Sequence, residues 1–370
     1  MDNSGTPRAS TQATTSAQAT RRTFVKAAGV ATALPLVPAL ADLALAGPAE
    51  AAEATALPDY APVPDTAVGP ALTDGYHVGR IGGHLYWVTD GYYQAMFLTT
   101  TTGVVVVDAP PTIGHNLLRA IRKVTDANGR PSEVTHVVYS HSHADHIGAA
   151  VLLGPDARRI AHVETERFLR RDRDPNRPLP HITFKDRYTL RVGGETLELA
   201  HHGPNHSPDN IFVHVPRYRT LMVVDVIYPG WVPFKNLAVS QDIPAWVEAH
   251  QVAMRYPWQT LVGGHLGRLG LRADAVVQQR YIDDLELSAR QTLESLDPTP
   301  FFDKYGPTGN SWAIFKTYLD AAAHQAAQPV VAKYAGRLAA VDVFTVDNAF
   351  AMIESLRIDQ GLLGPFGIRP

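Results

Sequence analysis

The stretch His141-Ser142-His143-Ala144-Asp145-His146 places four potential metal ligands within six residues. It follows the apolar, β-branched run Val134-Thr135-His136-Val137-Val138-Tyr139, which is typical of a buried strand. Residues 147–153 then favour the start of a helix, so the ligands are predicted at a strand-to-helix turn. Alternation along an extended chain places the first two histidines and the aspartate on one side, where they can reach one or two cations. The motif therefore predicts a metal site.

The composition of the whole chain is that of a globular protein. Its 370 residues are 45% hydrophobic and 19% charged, which is enough for a sizeable core. The net charge is −3, and it becomes −5 without the basic residues 1–46. Because nucleic-acid-binding proteins usually carry a basic footprint, this mildly acidic body predicts no nucleic-acid partner.

The amino terminus resembles a twin-arginine export signal. Thr20-Arg21-Arg22-Thr23-Phe24-Val25-Lys26 precedes a weakly apolar, Ala-rich stretch, and Ala44-Leu45-Ala46 offers a cleavage site. Pro35, Pro38 and Asp42 make the stretch a poor membrane span, so no permanent anchor is expected. We predict a signal peptide over residues 1–46 and a periplasmic or extracellular protein. The alternative is a disordered tail with a chance pair of arginines.

The chain has no cysteine, which excludes disulfides and thiolate ligands. Any zinc must then be held by imidazole and carboxylate groups alone. The same groups also bind manganese, iron or cobalt, so the donor types do not select one metal.

The remaining chain alternates strands and helices in two rounds. Residues 47–75 are rich in Ala and Pro and read as an extended arm. Strands are predicted at 85–88, 95–98, 104–107, 196–200, 211–215 and 220–224, and helices at 117–124, 163–173 and from Pro244. This order predicts an α+β layered sandwich with the sheets inside and the helices outside.

Residues 291–370 are predicted to form a helical C-terminal extension. Apolar side chains recur there at helical spacing, for example Phe315, Tyr318 and Leu319, then Phe350 and Ile353. Such stripes favour core packing or a homodimer contact over ligand binding.

Three further residues complete a metal-ligand set. His206 lies in Gly203-Pro204-Asn205-His206-Ser207-Pro208-Asp209-Asn210, Asp225 follows Leu221-Met222-Val223-Val224, and His265 ends Val262-Gly263-Gly264-His265. Each lies at or beside the end of a predicted strand. Because loops at strand ends converge from distant parts of a sequence, we expect these side chains to meet the first motif.

The ordered set H-x-H-x-D-H, His, Asp, His resembles the metallo-β-lactamase-fold hydrolase superfamily over roughly residues 76–270. The resemblance implies a four-layer αββα sandwich, with a hydrolase domain over residues 76–290. It also implies two Zn2+ per chain. His141, His143 and His206 would bind one metal, Asp145, His146 and His265 the second, and Asp225 would bridge them. Asp108 matches a supporting position of the family, although it could equally cap a turn.

Two neighbouring cations lower the pKa of a shared water, which predicts a bridging hydroxide that attacks an acyl carbon. Asp145 would orient this nucleophile or carry its proton, or it would act only as a ligand. Asp225-Val226-Ile227-Tyr228 resembles the D-x-x-Y arrangement of N-acyl homoserine lactonases, in which the tyrosine assists at the substrate oxygen. Tyr228 is therefore a candidate catalytic residue, with aromatic packing as the alternative.

Other parts of the sequence bear on the substrate. The His206 segment resembles the G-P-x-H-[ST]-x-D-N run of metallo-β-lactamases with a cysteine ligand, yet Asp225 occupies the corresponding ligand position. His146 instead matches the lactonase and glyoxalase II pattern. Lys235 could bind a substrate carboxylate or be solvated, and at most one of His201 and His202 should face the pocket. Trp231, Phe234 and the loop 171–177 are candidate walls of the cleft.

The leading hypothesis is an exported dinuclear metal hydrolase that cleaves an ester-like bond in a small molecule. Lactones and carboxylic esters are favoured over β-lactams. Phosphodiester or sulfate-ester hydrolysis is an alternative because paired cations support in-line displacement as well. A non-catalytic, secreted metal-binding assembly protein is the alternative from another class.

Overall fold

The computed structural model describes residues 57–367. The predicted signal peptide and the first part of the predicted arm lie outside the described residues. Up to residue 72, the described part of the arm has neither strand nor α-helix and contains one short turn of 3-10 helix at Asp65–Ala67.

The first of two sheets has seven strands that follow one another in chain order. These are β1 (His77–Gly82), β2 (Leu85–Thr89), β3 (Gln94–Thr100), β4 (Gly103–Val107), β5 (Val134–Val138), β6 (Arg158–His162) and β7 (Ile182–Phe184). The pairs from β1 to β4 are antiparallel and those from β4 to β7 are parallel. All five residues of β4 are buried, as expected for a strand covered on both faces.

The second sheet has five strands in the order β12-β11-β10-β9-β8. They are β8 (Arg187–Val192), β9 (Glu195–His201), β10 (Ile211–Val215), β11 (Thr220–Val223) and β12 (Thr260–Val262). Only β11 and β12 pair in parallel. Each sheet therefore ends in parallel strands. Within each sheet, the carboxyl ends of these parallel neighbours lie at the same edge.

Right-handed helices cover the outer faces of the sheets. Their bounds are His115–Asn128, Ala144–Ile147, Val163–Asp172, Ile243–Arg255, Arg272–Ser295, Thr299–Tyr305, Ser311–Tyr334 and Val341–Ile358. The last of these is named the C-terminal helix below. Among the described residues, no helix is long and apolar enough to cross a bilayer.

Successive residues of β4 point to opposite faces of the first sheet, so they belong to different hydrophobic cores. Val104 and Val106 pack with Leu117 of the helix His115–Asn128, whereas Val105 faces the second sheet and shares a core with Val213. The outer face of the second sheet packs against helices in a third core that includes Leu221, Val223 and Trp246. The result is the predicted α/β/β/α order of layers.

The predicted helical extension is also observed, and its apolar stripes are buried. Tyr318, Leu319, Ile353 and Leu356 belong to the same core as Trp246, so core packing is confirmed for these stripes. The domain boundaries at residues 46, 75 and 290 and the homodimer contact stay predictions.

Residues 147–153 do not form the predicted helix. The helix instead begins at Ala144 and ends at Ile147, and a separate 3-10 turn covers Ala150–Leu153. Gly148 follows the helix directly, and a Cβ at this position would collide with the carbonyl oxygen of Ala144. The chain therefore turns at a residue where only glycine fits, and the metal motif itself supplies the helical turn.

Candidate metal centre

The H-x-H-x-D-H motif at residues 141–146 has two parts with different backbone structures. His141 and His143 follow β5 in extended chain, whereas Asp145 and His146 lie on the helical turn Ala144–Ile147. The prediction that His141, His143 and Asp145 share one side of an extended chain is therefore wrong for Asp145. The helical turn moves Asp145 and His146 toward a second group of donors, so that one short motif serves two neighbouring positions.

All seven predicted ligands converge in the structure. They form two groups, in each of which the donor atoms lie within 4.8 Å of one another: His141, His143, His206 and Asp225, and Asp145, His146 and His265. This division matches the predicted pair of metal positions. The ligand roles themselves stay predictions.

Asp225 lies between the two groups. Its Oδ2 is 3.2 Å from His206 Nε2 and 3.1 Å from His146 Nε2, and its Oδ1 is 2.8 Å from His265 Nε2. Asp225 Oδ2 also lies 3.5 Å from His141 Nε2. One carboxylate thus faces two imidazoles of each group, which is the arrangement that a bridging ligand requires.

The backbone of Asp225 is held in a conformation that a short polar side chain tolerates. Its φ is 60°, in the left-handed region that Asp enters more readily than most residues. Trp246 Nε1 donates a hydrogen bond to the Asp225 carbonyl at 2.8 Å, and Tyr228 Oη donates to Oδ1 at 2.9 Å. Both ends of the residue are therefore fixed by aromatic side chains of the core.

The loop that carries His206 is held by its own asparagines. The Asn205 side chain accepts a hydrogen bond from the His206 amide at 2.7 Å, and Asn210 donates to Asn205 Oδ1 at 3.0 Å and to the Val224 carbonyl at 2.8 Å. Both asparagines are buried. The segment 203–210 therefore places His206 beside the end of β11, from which Asp225 projects.

Two residues position His265. Gly264 belongs to the predicted motif, whereas the role of Gln94 was not predicted. Gly264 has a φ of 85°, and a Cβ there would lie 2.6 Å from the Val224 side chain, so the loop passes β11 only because this residue is glycine. Gln94, buried at the start of β3, donates to the carbonyls of His265 and Leu266 at 3.1 and 2.9 Å. A polar residue directly before the apolar run Ala95-Met96-Phe97-Leu98 was the available signal for Gln94.

Asp108 supports the site from the end of β4. Its Oδ1 accepts a hydrogen bond from the Ser140 amide at 2.8 Å, and Ser140 Oγ lies 2.9 Å from His141 Nδ1. Burial raises the pKa of Asp108 to about 6, although the neighbouring His146 and the Ser140 amide oppose the increase. Asp108 thus holds the turn from which His141 projects. The same hydrogen bond to Ser140 both caps this turn and supports the predicted metal ligand.

The electrostatics of the donor set suit divalent cations. Burial would raise the pKa of Asp225, but the imidazoles of His206, His146 and His265 together hold it well below its usual range. Burial, with help from the adjacent imidazoles, places the pKa of His141 well below normal, so that this ring is neutral. Burial also lowers the pKa of His146, but Asp225 and Asp145 outweigh burial and raise it to about 9. A cation would take the place of that proton.

The ring nitrogens give a direct test of this fit. His206 Nε2 lies 3.0 Å from His143 Nδ1, His146 Nε2 lies 3.1 Å from His265 Nε2, and the buried His141 Nε2 has no hydrogen-bond partner among the described residues. These ring nitrogens face one another and a carboxylate, and together they offer more lone pairs than hydrogens. Hydrogen bonds among them therefore cannot satisfy every nitrogen. Imidazole and carboxylate donors in this number fit two cations such as zinc.

A cleft of about 410 Å³ opens over the two groups. Apart from the metal-ligand candidates and Tyr228, its lining consists of Tyr92, Tyr93, Phe234, Ala238, Val239 and Leu266. Tyr93, another residue missed from the sequence, donates a hydrogen bond to Asp145 Oδ2 at 3.3 Å. Burial and the Asp145 charge raise the pKa of Tyr93 to about 12, so its hydroxyl stays protonated. The cleft is therefore apolar on its walls and polar at its floor.

Several residues proposed from the sequence do not line this cleft. Lys235 forms an ion pair with Asp347 at 3.3 Å, and His201 and His202 hydrogen-bond to the Pro208 carbonyl and the Tyr256 hydroxyl, respectively. Phe234 is a wall as expected, whereas Trp231 instead donates to the carbonyl of Ala67.

The loop 171–177 borders a separate cavity on the other side of His143. Arg171, Asp172 and Arg177 line this cavity together with His143 and Asp145. Arg177 Nη1 donates a hydrogen bond to the Ser142 carbonyl at 2.6 Å. The loop therefore lies against the backbone of the motif and is not a wall of the main cleft.

One wall of the main cleft has an unusual backbone. The segment Lys235–Val239 forms a single helical turn in which residues 236–239 have φ values between 51° and 64°. We name this segment the left-handed turn. None of its residues is glycine, and the left-handed helical conformation costs about 1–2 kcal/mol for each L-residue. The surrounding structure must therefore hold it in place.

Comparison with known proteins identifies the family. The family model described as Metallo-beta-lactamase superfamily matches residues 88–287. The 2,4-dinitroanisole O-demethylase subunit alpha of Nocardioides sp. (strain JS1661) is 28% identical over 57% of this chain and 62% of its own length. Metallo-beta-lactamase type 2 of Elizabethkingia meningoseptica is 24% identical over 46% of this chain and 68% of its own length. The chain thus spans about three fifths of the demethylase subunit.

Solved structures with a similar fold include a metallo-beta-lactamase from Pontibacter korlensis, which is 22% identical. It covers 55% of this chain and 97% of its own, with a TM-score of 0.46. The family match alone, residues 88–287, takes up more than half of the 370 residues. The chain therefore belongs to the metallo-beta-lactamase superfamily.

Proposed function

We propose that the protein hydrolyses an ester-like bond in a neutral small molecule, with lactones and carboxylic esters favoured. The observation that carries this proposal is the cleft itself. Five of the seven metal-ligand candidates and Tyr228 line its polar floor, and neither lysine nor arginine is among its lining residues. Family membership favours catalysis over the alternative of an assembly protein.

The donor set would hold two cations, with Zn2+ as the first candidate. His141, His143 and His206 would hold one, Asp145, His146 and His265 would hold the other, and Asp225 would contact both. When bound, such a pair lowers the pKa of a water and polarises a substrate oxygen.

Asp145 and Tyr228 are the chain's own candidates for handling protons. The Asp145 side chain is 43% exposed and borders the cleft, so its carboxylate can orient a water and accept a proton from it. Burial, reinforced by the Asp225 charge, raises the pKa of Tyr228 well above its usual value. Tyr228 therefore keeps its proton, which it donates to Asp225 Oδ1 at 2.9 Å. With Asp225 bound to a cation, the hydroxyl can turn and donate instead to the developing negative charge on the substrate oxygen or to the leaving alcohol.

The apolar walls argue against charged substrates. A charge remote from the reacting bond, such as the carboxylate of a cephalosporin, needs a cationic side chain to offset its loss of water, whereas the phosphate of a phosphodiester would face the bound cations themselves. Lys235, the nearest candidate by sequence, is paired with Asp347. Neutral esters and lactones meet no such requirement, since Tyr92, Phe234, Val239 and Leu266 can cover their hydrocarbon parts.

Cleavage of an activated aryl ether is a second candidate. The relative that demethylates 2,4-dinitroanisole, as its name states, aligns with 57% of this chain, and four aromatic side chains besides the histidines line the cleft here. In the corresponding hydrolysis, water would add at the ring carbon that bears oxygen and methanol would leave, giving a phenol.

We also propose export by the twin-arginine route, on the basis of Arg21 and Arg22 and the stretch that follows them. Replacing both arginines by lysine should keep the protein in the cytoplasm of a host with this pathway, since the signal depends on the pair and not only on its charge. Cell fractionation measures the outcome. Equal export of the Arg8→Lys control and of the double variant would contradict the proposal.

Metal removal should abolish turnover, and Asp225 should be the most sensitive ligand. Asp225→Ala is expected to reduce bound zinc from two per chain to one or none, and to reduce turnover by more than about 100-fold, the largest usual effect of losing a group that only supports a ligand. Metal analysis and ester assays with and without chelator measure both effects. The exposed Asp303→Ala is the control, and normal metal content in Asp225→Ala would refute the assignment.

A substrate panel tests the proposed reaction. We expect hydrolysis of a chromogenic lactone or 4-nitrophenyl ester to exceed that of a chromogenic cephalosporin by about 10 to 100-fold in kcat/KM, because each unpaired charge costs about 1.5–3 kcal/mol. Bis-4-nitrophenyl phosphate and 2,4-dinitroanisole complete the panel. Strong cephalosporin turnover with no ester or lactone turnover would overturn the proposal, and turnover of the anisole alone would select the second candidate.

Tyr228→Phe should lower kcat by about 100-fold, the usual effect of removing one oxyanion donor, and leave zinc content unchanged. Steady-state kinetics on the best ester and metal analysis test this. Tyr139→Phe is the matched control, since Tyr139 is also buried and its hydroxyl donates to the Pro178 carbonyl at 2.9 Å. An unchanged kcat in Tyr228→Phe would leave this tyrosine with a packing role.

A further inference from the structure

We propose that Asn348 of the C-terminal helix is a positioning residue for the active site. It holds the left-handed turn in place, and through this turn the helical extension shapes the wall that receives the non-reacting part of the substrate. The inference depends on the proposed ester hydrolysis only for its kinetic readout.

Asn348 is fully buried and uses both ends of its side chain. Its Oδ1 accepts a hydrogen bond from the Leu237 amide at 2.7 Å, within the left-handed turn. Its Nδ2 donates to the Pro233 carbonyl at 3.0 Å, just before the turn, and to the Tyr281 hydroxyl at 3.3 Å. Because buried backbone groups need hydrogen-bond partners, the turn cannot move without leaving both groups unsatisfied.

Two neighbours on the same helix face contact side chains at the start of the turn. The Phe344 ring meets the Phe234 ring edge to face at 5.0 Å between centroids, and Asp347 pairs with Lys235. Residues three and four apart project from one side of a helix, so these contacts and Asn348 form one docking surface. Of the three residues, only Asn348 binds the backbone of the turn.

The turn connects this surface to the active site. Ala238 and Val239 of the turn and the preceding Phe234 line the cleft. Just after the turn, the Gln241 amide donates to the His206 carbonyl at 3.0 Å and the Asp242 amide to the Asn205 carbonyl at 3.2 Å. The turn is thus fixed at one end by Asn348 and at the other by the loop that carries a metal-ligand candidate.

This geometry predicts a selective effect of losing Asn348. A left-handed turn of residues other than glycine relaxes once its hydrogen bonds are removed, and the apolar wall moves with it. A long acyl chain would lose contact with the wall, whereas an acetyl group is too short to need it. The affinity for long-chain substrates should fall while the chemistry of short ones persists.

The test compares Asn348→Ala with Ser355→Ala in the metal-loaded protein. Ser355 is a matched control because it is buried in the same helix and its hydroxyl contacts Asp359 instead of the turn. Asn348→Ala should speed hydrogen exchange at the Leu237 amide by at least about tenfold. It should also reduce kcat/KM for 4-nitrophenyl octanoate relative to the acetate by about tenfold, mainly through KM.

Unchanged exchange at Leu237, or equal changes in Asn348→Ala and Ser355→Ala, would overturn the proposal. If Asn348→Ala does not fold, Asn348→Asp serves in its place. It keeps an oxygen acceptor for the Leu237 amide but loses the donor to Pro233, and it should show a smaller shift in the same direction. A wild-type protein that hydrolyses no ester would refute the proposed function only, since slow exchange at Leu237 and its loss in the variant would still support the role of Asn348.

Discussion

The carboxylate of Asp225 is the group on which the rest of the site depends. It is buried, and its two oxygens face imidazoles from β5, the helical turn of the motif, the 203–210 loop and the loop after β12. A charge this far from water is tolerated only when it is paired. Bound cations would pair it and would accept the lone pairs of the surrounding imidazoles. The two sheets can thus be understood as the frame that brings four loops to one carboxylate.

The accuracy of this frame comes from neutral hydrogen bonds around the ligands more than from the ligands themselves. Gln94 joins the first sheet to the loop of His265, Asn205 and Asn210 fix the loop of His206, and Ser140 with Asp108 orients His141. The contacts around His206 and His141 are buried and that of Gln94 is partly buried, and in such places a hydrogen bond left unmade costs more than a hydrogen bond made contributes. The donors therefore hold their spacing against the mutual repulsion of their lone pairs.

The sequence predicted those parts of this arrangement that rest on short-range patterns. The run of valines in β4, the H-x-H-x-D-H spacing and the isolated His206, Asp225 and His265 all have local signatures, and these led to the fold and the ligand set. Gln94 and Tyr93 were missed because their roles depend on partners 171 and 52 positions away. The helix after the motif was misplaced because Gly148, a steric constraint set by the Ala144 carbonyl, decides where it ends. The left-handed turn was not predicted because it contains no glycine, the residue that usually marks a positive φ in a sequence.

The turn also suggests how one superfamily can share its chemistry and differ in its substrates. The family match ends at residue 287 and contains all seven metal-ligand candidates and Tyr228, whereas Asn348 lies beyond it. On our proposal, the part of the chain that matches the family carries out the hydrolysis and the helical extension sets one wall of the cleft. The extension can impose a strained backbone there because Tyr318 and Ile353 pack into the large core that also holds Trp246 and the outer face of the second sheet, and this packing can offset the local cost. Changes in that extension could then alter substrate preference while the metal ligands stay in place.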